Sequence, residues 1–331
     1  MQMKRAAIIG LGDIAKIHLP TLKAMDNVEL VAVCDIDEGK KDFAGDVPFY
    51  KSVKKLLREV KPDVVHICLP HYLHYPIAEI AAMEGANVFC EKPLAMTSQE
   101  AYDFVALANE HPELHFGICL QNRYNRSSET LLQIVKSGEY GKVTGVKGIV
   151  AWHRPKAYYE AAPWRGKMAT AGGGVMINQS IHTLDLMQYF AGEMLSLRGS
   201  ISQLLDYDIE VEDTAVANIR FENHATGLFM ASIANHKNDN VEIGVTLETA
   251  EYLIADNALY KITDGVREFV CEDDRLPGTK FYYGAGHAKA IGAYYKALIE
   301  GTDDYIHVRE GVNSMRMIDA IRISKGSTTL L

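Results

Sequence analysis

The chain has 331 residues, of which 48% are hydrophobic and 23% are charged, and its formal net charge is −9. This composition is typical of a globular protein with two domains, and it excludes a disordered chain. The acidic balance, with no basic run longer than the pair at 54–55, argues against a nucleic-acid-binding surface. No apolar stretch reaches transmembrane length. Five cysteines without a Cys-x-x-Cys pair favour buried thiols, so we expect a cytoplasmic protein with neither nucleic-acid nor membrane partners.

Up to about residue 121, short β-branched runs alternate with amphipathic segments of helical period. The runs are AAIIG, VELVAVCD, DVVHICLP, NVFCE and LHFGICLQ. Each run is apolar on both faces, as in a parallel sheet that helices cover on both sides. The sequence therefore predicts a doubly wound α/β domain of the Rossmann type over residues 1–121.

A glycine-rich turn, GLGDIA at residues 10–15, follows the first run and precedes a helical segment. This is the context of a dinucleotide fingerprint, in which glycines permit a tight turn and close approach of the backbone to the pyrophosphate. Alone, a Gly-x-Gly pair also fits an ordinary strand-to-helix turn. The residues of this turn that we place at a cofactor are Gly10, Gly12, Asp13 and Ile14.

Asp35 ends the second run, 23 residues after Gly12 (35 − 12 = 23). A carboxylate at that point accepts hydrogen bonds from the hydroxyls of the adenosine ribose and repels a 2′-phosphate. Asp35 therefore strengthens the fingerprint and predicts NAD(H) rather than NADP(H) as the cofactor. The alternative for Asp35 is a carboxylate that caps the next helix.

Two opposite charges, Glu91 and Lys92, end the run NVFC and precede Pro93. In an open parallel sheet, ligands bind beyond the carboxyl ends of the strands, which is where this pair is predicted to lie. Pro93 restricts the backbone of Lys92 and so directs its side chain. In a partly desolvated cleft, Lys92 can donate to a substrate hydroxyl or relay its proton. The alternative is a surface ion pair between the two neighbours.

Beyond residue 121, long runs such as KVTGVKGIVAWH, TAVANIRF, ATGLFMASIA and VEIGVTLE follow one another with turns between them. Strands joined by turns predict a large, mostly antiparallel sheet. Helical stretches near 174–191, 288–300 and 310–325 complete a second α/β domain over residues 122–331. The open face of such a sheet needs cover, so we expect a homodimer or homotetramer through this sheet.

The segment GGGVMINQSIHTLDLMQYF begins at Gly172. As one helix it places Asn178, His182, Asp185 and Tyr189 on one face, as a polar stripe between apolar walls. A histidine in such a stripe is also a common core residue. The three glycines that precede the helix permit close approach of a ligand, and the APWRG segment before them offers an aromatic face and a guanidinium.

Together, GLGDIA, CEKPLA and GGGVMINQSIHTLDL resemble the family of glucose-fructose oxidoreductase, inositol dehydrogenase and MocA-like proteins, and LPHYLH, QNRYN and YYEAAPWRG look like its intervening segments. The resemblance implies that Lys92 contacts the nicotinamide ribose and the reacting hydroxyl, and that His182 is the general acid/base. Many members carry Asp where this chain has Asn178. Because Asn cannot take a proton, Lys92 and His182 then carry the proton transfer. The Asn-Gln pair resembles members that act on sugar derivatives, including nucleotide sugars.

The candidate site residues fall into three groups. We expect Lys92, His182 and Asn178 at the catalytic centre. The predicted cofactor contacts beyond the glycine turn and Asp35 are Pro70, His71, His74, Glu91, Lys92, Asn122, Trp164 and Arg165. The predicted substrate contacts are Lys92, Arg123, His153, Tyr158, Asn178 and His182. His71 and His74 form a His-x-x-His pair, but no third ligand lies near them in sequence, so we expect no metal site.

The predicted reaction is the reversible oxidation of a secondary alcohol of a sugar, sugar derivative or cyclitol, with NAD(H) as cofactor. His182 takes the hydroxyl proton and Lys92 stabilises the developing alkoxide. Two other functions stay open. One is an NAD-dependent glycosidase that oxidises and then re-reduces the sugar, and the other is a sugar-sensing regulator that keeps the cofactor domain without chemistry.

Overall fold

The computed structural model describes residues 3–274 and 285–331. Its strands, in chain order, are β1 (Lys4–Ile9), β2 (Val28–Cys34), β3 (Phe49–Tyr50), β4 (Val64–Ile67), β5 (Asn87–Cys90), β6 (Phe116–Ile118), β7 (Val143–Ala151), β8 (Met194–Ser202), β9 (Thr214–Phe221), β10 (Thr226–Ser232), β11 (Glu242–Leu247), β12 (Glu251–Ala255), β13 (Ala258–Thr263), β14 (Val266–Glu272) and β15 (Thr329–Leu330). Its helices are α1 (Ala15–Lys23), α2 (Lys41–Ala44), α3 (Val53–Val60), α4 (His74–Met83), α5 (Ser98–Glu110), α6 (Arg126–Ser137), α7 (Lys156–Glu160), α8 (Met168–Ala171), α9 (Val175–Asn178), α10 (Ile181–Ala191), α11 (Gly286–Glu300) and α12 (Val312–Ser324).

Contacts between Cα atoms divide the chain into two compact units. The first unit contains residues 1–120 and 287–312, and the second contains residues 121–286 and 313–331. Each unit has its own sheet and its own buried core.

The sheet of the first unit has six parallel strands in the order β3-β2-β1-β4-β5-β6. Residues 6–9 of β1 and the whole of β4 are at most 1% exposed, as expected for strands that are covered on both faces. The chain leaves β1 towards β2 on one side, and β4 lies on the other side, so strand order reverses at β1. Ligands bind at such a reversal, beyond the carboxyl ends of the strands. The predicted doubly wound Rossmann architecture is confirmed.

The segment 287–312 belongs to the first unit, whereas the sequence analysis assigned it to the second domain. The backbone N–H of Ile118 donates to the Ile306 carbonyl (2.9 Å), and the Tyr294 hydroxyl donates to the His115 carbonyl (3.0 Å). Tyr294 packs so closely on β6 that a Cβ at Gly117 would lie 2.7 Å from its Cδ2 atom. The apolar face of α11 thus completes the core beside β6, a long-range pairing that local sequence patterns do not encode.

The sheet of the second unit has nine strands in the order β14-β13-β12-β11-β7-β10-β9-β8-β15. Every adjacent pair is antiparallel except β7 and β10, which are parallel. Helix α10 packs on β7, where a Cβ at Gly148 would lie 2.6 Å from Thr183 Cγ2. The predicted large, mostly antiparallel sheet is therefore confirmed, and a glycine in β7 permits the close approach of α10.

The helical stretch predicted for 174–191 is two helices, because the chain breaks between α9 and α10 at Gln179 and Ser180. The Ser180 hydroxyl donates to the Val175 carbonyl (2.9 Å), and the Ser180 N–H approaches the same oxygen (3.0 Å). A serine hydroxyl that competes for helix carbonyls in this way ends the regular pattern. The prediction of one continuous polar stripe is wrong, since Asn178 and His182 belong to different helices.

No helix in residues 3–274 and 285–331 combines the length and apolar content needed to cross a membrane.

Candidate active site

The glycine turn after β1 has the geometry that a dinucleotide fingerprint requires. Gly10 has a φ of +93°, and its Cα lies so close to the Cys68 carbonyl that a side chain would overlap it. At Gly12, by contrast, an added Cβ would meet no atom within 4 Å, so open space lies above the start of α1. The turn therefore fits a pyrophosphate group at the helix N-terminus. Asp13, beside it, is exposed and pairs with Lys16 (3.0 Å).

Asp35 is a buried, ionised acceptor at the end of β2. Its Oδ2 accepts from the Leu11 N–H (2.7 Å) and from Lys40 Nζ (3.1 Å), and its Oδ1 accepts from the Asp37 N–H (2.9 Å). Burial alone raises the pKa of Asp35, but these hydrogen bonds and the Lys40 charge bring it below the usual value. The helix cap that was the alternative role is supplied by Asp37, which accepts from the Gly39 N–H (2.9 Å).

His74 joins the loops that follow β4 and β5. It is fully buried, with Nδ1 2.7 Å from the Pro93 carbonyl and Nε2 2.8 Å from the Leu69 carbonyl. Burial lowers the pKa of His74, and the two carbonyl contacts oppose that shift. Both ring nitrogens thus lie against main-chain carbonyls, so His74 links the two loops that border the predicted cofactor cleft. His71, 4% exposed, packs its ring 5.9 Å from that of His74, and Pro70 precedes it at the start of a short 3₁₀ turn.

Glu91 and Lys92 stand at the carboxyl end of β5, but they do not form a surface ion pair. Glu91 is only 4% exposed, and its Oε1 lies 2.8 Å from Nε2 of the buried His18. Its other oxygen accepts from the Lys92 N–H (3.3 Å). Burial lowers the pKa of Lys92, and the Glu91 charge opposes part of this shift. The motif therefore builds a buried carboxylate directly beside a partly buried lysine.

On the second unit, His182 lies in the first turn of α10 and is held by Gln121. The side-chain amide Nε2 of Gln121, which is 3% exposed, lies 3.1 Å from His182 Nε2. Sequence reasoning did not select Gln121, although it begins the QNRYN segment that resembles the family. Asn122, beside it, has a buried Oδ1 atom without a hydrogen-bond partner among the described residues.

Arg123 forms a bidentate ion pair with Asp185, one turn after His182 in α10. Its Nε donates to Oδ2 (2.9 Å) and its Nη2 to Oδ1 (2.6 Å), and the two side chains are 10% and 1% exposed. The guanidinium also lies 4.6 Å from the centre of the Tyr189 ring. Arg123 was predicted as a substrate contact, and in the structure its pair with Asp185 fixes α10 to the segment that carries Gln121.

Tyr158 contacts several of the other candidate residues of the second unit. Its hydroxyl accepts from Asn178 Nδ2 (3.0 Å) and from Gln179 Nε2 (3.2 Å). The Arg165 guanidinium stacks 4.3 Å from the ring centre, and that of Arg154 lies 5.5 Å from it. The structure thus brings together three predicted residues with Gln179 of the Asn-Gln pair, and Arg154 is an addition that the sequence analysis missed.

Trp164 and His153, two weaker candidates, differ in their surroundings. The Arg165 guanidinium lies 5.8 Å from the Trp164 ring, so this tryptophan borders the Tyr158 cluster. His153 Nδ1 lies 2.8 Å from the Asn235 carbonyl, and the backbone N–H of His153 donates to Asn238 Oδ1. One ring nitrogen of His153 is therefore committed to a neighbouring loop.

Gly173 and Gly174, which precede α9, permit close packing of the chain on itself. A Cβ at Gly174 would overlap the Glu212 carbonyl, and one at Gly173 would overlap the Arg322 guanidinium. The Glu212 carboxylate, 5% exposed, accepts from the Gly174 N–H (3.0 Å) and the Met176 N–H (3.3 Å). At Gly173 and Gly174, protein atoms rather than a ligand therefore fill the space that a Cβ would occupy, which differs from the reason predicted from the sequence.

Comparisons with known proteins place this architecture in a family. Residues 4–117 match the family profile described as "Oxidoreductase family, NAD-binding Rossmann fold", and residues 128–251 match the "GFO/IDH/MocA C-terminal domain". The chain belongs to the Gfo/Idh/MocA oxidoreductase family. The predicted family, enzyme class and NAD cofactor are therefore confirmed, and the first unit is an NAD-binding Rossmann domain.

Three relatives of this Gfo/Idh/MocA protein show the range of the similarity. D-glucoside 3-dehydrogenase of Escherichia coli (strain K12) is 28% identical over 241 residues, which are 66% of this chain and 67% of the relative. Myo-inositol 2-dehydrogenase of Thermotoga maritima is 27% identical over 232 residues, 68% of this chain and 67% of the relative. The WlbA dehydrogenase of Bordetella pertussis, solved with NADH and UDP-GlcNAcA, has a TM-score of 0.86 at 25% identity and covers 100% of this chain and 99% of its own.

Proposed function

We propose that the protein is an NAD(H)-dependent dehydrogenase that interconverts a secondary alcohol and a ketone on a sugar, sugar derivative or cyclitol. The observation that carries this proposal is the position of the buried Glu91 and the adjacent Lys92 at the carboxyl end of β5 in the NAD-binding sheet, where the Lys92 N–H donates to Glu91. That edge is where ligands of such sheets bind. The relatives named for glucoside and inositol oxidation support the class of substrate.

Oxidation of an alcohol requires that a proton and a hydride leave the same C–OH group. Bound NAD⁺ supplies the hydride acceptor. We assign the proton to His182, since an imidazole exchanges protons in both directions near neutral pH. The Lys92 ammonium donates a hydrogen bond to the hydroxyl oxygen and stabilises the negative charge that develops on it. Asn178 cannot take a proton, so its proposed role is to orient the substrate together with Tyr158.

Most of the residues proposed to hold NAD(H) belong to the first unit, at the glycine turn and the neighbouring strand ends. Gly12 and Ile14 border the space at the start of α1, and Asp35 is proposed to accept hydrogen bonds from the adenosine ribose. Because the pKa of Asp35 is lowered, its negative charge persists at neutral pH and disfavours a 2′-phosphate. The other proposed contacts are Gly10, Asp13, Pro70, His71, His74, Glu91 and Lys92 of the first unit, and Asn122, Trp164 and Arg165 of the second unit.

The cluster around Tyr158 supports a polyhydroxylated substrate. Amide and hydroxyl groups on neighbouring residues suit the many donors and acceptors of a sugar ring, and the arginine side chains suit a negatively charged substituent. The WlbA structure was solved with the nucleotide sugar UDP-GlcNAcA. Nucleotide sugars and uronates therefore belong in any substrate panel, beside neutral glycosides and inositols.

A panel of these substrates, with NAD⁺ and with NADP⁺, tests the proposal. We expect NADH absorbance to rise with at least one sugar or cyclitol, and more strongly with NAD⁺ than with NADP⁺. A coloured glycoside without added cofactor distinguishes a glycosidase, because such an enzyme releases the dye without net NADH. NAD binding without turnover on the whole panel contradicts the proposal and favours a regulator.

We further propose a homodimer or homotetramer through the open face of the nine-stranded sheet. Val216, Leu228 and Met230 on β9 and β10 are 42%, 47% and 39% exposed, and Met230 is paired in register with Val216. Adjacent apolar side chains on an exposed sheet face mark an interaction surface. Light scattering should therefore give a molar mass that is a multiple of 36.7 kDa, the mass of one chain. The double substitution of Leu228 and Met230 by Lys should reduce this mass. A wild-type mass of one chain contradicts the assembly.

A further inference from the structure

A line of four buried side chains runs through the first unit and ends at the residue before Lys92. The Tyr295 hydroxyl lies 2.9 Å from His66 Nε2, and His66 Nδ1 lies 2.9 Å from His18 Nδ1. His18 Nε2 then lies 2.8 Å from Glu91 Oε1. The four residues are at most 4% exposed and come from α11, β4, α1 and the end of β5. Four separate elements thus meet in one hydrogen-bonded line.

The charge of Glu91 fixes the direction of the hydrogen bond from His18. Burial alone raises the pKa of Glu91, but the hydrogen bond and charge of His18, helped by His287 and Cys119, bring it well below the usual range. An ionised carboxylate is an acceptor only. His18 Nε2 therefore carries a proton and donates a hydrogen bond to Glu91.

His66, in the middle of the line, couples the remaining two hydrogen bonds. Burial, together with the charge of His18, holds its pKa well below the usual value, so the ring is neutral. A neutral imidazole has one donor nitrogen and one acceptor nitrogen. If His66 donates to His18, it accepts from Tyr295, and a proton added at His18 reverses both bonds together. The line is therefore satisfied in either state, and in both of them His18 donates to Glu91.

Glu91 transmits this arrangement to Lys92. One carboxylate oxygen faces His18 and the other accepts from the Lys92 N–H, so the group cannot turn without the loss of a hydrogen bond. Loss of a buried partner at this place leaves a charged group with its full desolvation cost. The position and the charge of the carboxylate beside Lys92 thus depend on a donor at His18.

We propose that His18, His66 and Tyr295 are positioning residues that act on Lys92 through Glu91: they keep this carboxylate ionised and fixed, and so keep the lysine ammonium protonated during catalysis. The inference rests on the proposed role of Lys92. Among the described residues, the titratable groups that interact with Glu91 are His18, His66, Cys68, His74, Cys90, Lys92, Cys119 and His287.

A metal ion bound beside Glu91 is a rival explanation for this cluster. Among the described residues, His18, Glu91 and Cys119 bring one ligand-type atom each within 4.8 Å of one another. Burial, together with the Glu91 charge, raises the pKa of Cys119 well above its usual value, so a metal that bound here would have to displace the thiol proton. His18 and Glu91 also already bond each other. Elemental analysis of the purified protein decides between the two, and one bound metal per chain that is lost in His18→Gln overturns the proposal.

Nuclear magnetic resonance of the wild-type protein with ¹⁵N-labelled histidine tests the line without any substitution at a packed site. We expect His18 to carry a proton on Nε2 and His66 to be neutral at pH about 7. His18→Gln and His66→Gln variants assign the two signals. A His18 ring with an unprotonated Nε2 overturns the proposal, because Glu91 then lacks its donor.

A matched pair of substitutions at His18 tests the effect on Lys92. His18→Gln keeps a side-chain N–H that reaches towards Glu91, and His18→Leu removes it. With Leu, Glu91 loses ionised character, and the pKa of Lys92 therefore falls. The alkaline limb of the pH profile of kcat/KM should then move to lower pH by about one unit. The Gln variant should keep the wild-type limb. If both variants lose activity equally without a shift of the limb, the residues are only structural and the proposal is wrong.

The titration of Lys92 itself separates this inference from the proposed function. With ¹³C-labelled lysine and a Lys92→Arg variant for assignment, the Lys92 signal should titrate at lower pH in His18→Leu than in His18→Gln. That difference is expected even if Lys92 has no part in catalysis. A Lys92→Ala enzyme with full turnover removes the proposed function alone, whereas identical titrations in the two His18 variants remove the inference alone.

Discussion

The two units hold their candidate catalytic side chains by different kinds of contact. In the first unit, the Lys92 N–H donates to Glu91, which also binds His18, and a carboxylate and an imidazole both change charge when they bind a proton. In the second unit, α10 with His182 is fixed by the Arg123–Asp185 pair, and arginine does not lose its proton in proteins. This difference predicts that pH acts on Lys92 through Glu91 and His18, whereas Arg123, which fixes α10, keeps its charge.

The largest effect on stability is expected from the second unit. Arg123→Leu leaves Asp185 buried and unpaired, and we expect the free energy of unfolding to fall by about 3–5 kcal/mol in urea. The double variant Arg123→Leu/Asp185→Leu should recover part of this loss, because no charge is then left without a partner. Arg126→Leu, at an exposed position in the same unit, serves as the control. If Arg123→Leu unfolds like this control, the ion pair does not anchor α10.

The first unit should show a smaller effect that depends on pH. Glu91→Gln is expected to lower the free energy of unfolding by about 1–3 kcal/mol at neutral pH, because the buried hydrogen bonds lose their charge. The folded-state pKa of Glu91 lies below its ordinary value of 4.5, so its stabilisation is present above that pH and is lost as the pH falls further.

Urea unfolding of wild type and Glu91→Gln from about pH 7 to about pH 3 measures this difference. The gap between the two proteins should narrow as the solution becomes acidic. A gap of constant size over the whole range means that the carboxylate charge does not matter, and the contrast between the two units then fails.

The smallest effect concerns Asp35, another buried carboxylate of the first unit. Asp35→Asn keeps the size of the side chain but removes its negative charge. We expect NAD(H) affinity to fall about tenfold, which corresponds to the loss of one charged hydrogen bond, and the preference over NADP(H) to weaken. Fluorescence titration with both cofactors measures this, with Asp46→Asn as an exposed control. An unchanged preference shows that Asp35 does not select the cofactor.

Sequence reasoning succeeded where the pattern is local. Strands β1 and β4 read as apolar runs because both faces are covered, and the glycine turn with Asp35 indicated NAD because each residue has a backbone or charge requirement of its own. The family motifs then added the enzyme class. These features need only the period of a segment and the chemistry of a few side chains.

Sequence reasoning failed where a contact joins distant residues. Ser180 breaks the predicted helix because its hydroxyl finds a carbonyl five residues earlier, and the pattern of apolar positions does not record this competition. Gly174 leaves space for the main chain of Glu212, which lies 38 residues further along the sequence. The sequence analysis selected neither Gln121 nor His66, because only the fold places them beside His182 and His18.

The turnover of Lys92→Ala and His182→Ala tests the central claim most directly. With the best substrate of the panel and saturating NAD⁺, each substitution should lower kcat by about two to four orders of magnitude, because each removes a proton-transfer group or a charge at the reacting oxygen. Lys54→Ala and His236→Ala, at exposed positions, should match the wild type. Near-normal turnover in either Lys92→Ala or His182→Ala contradicts the account.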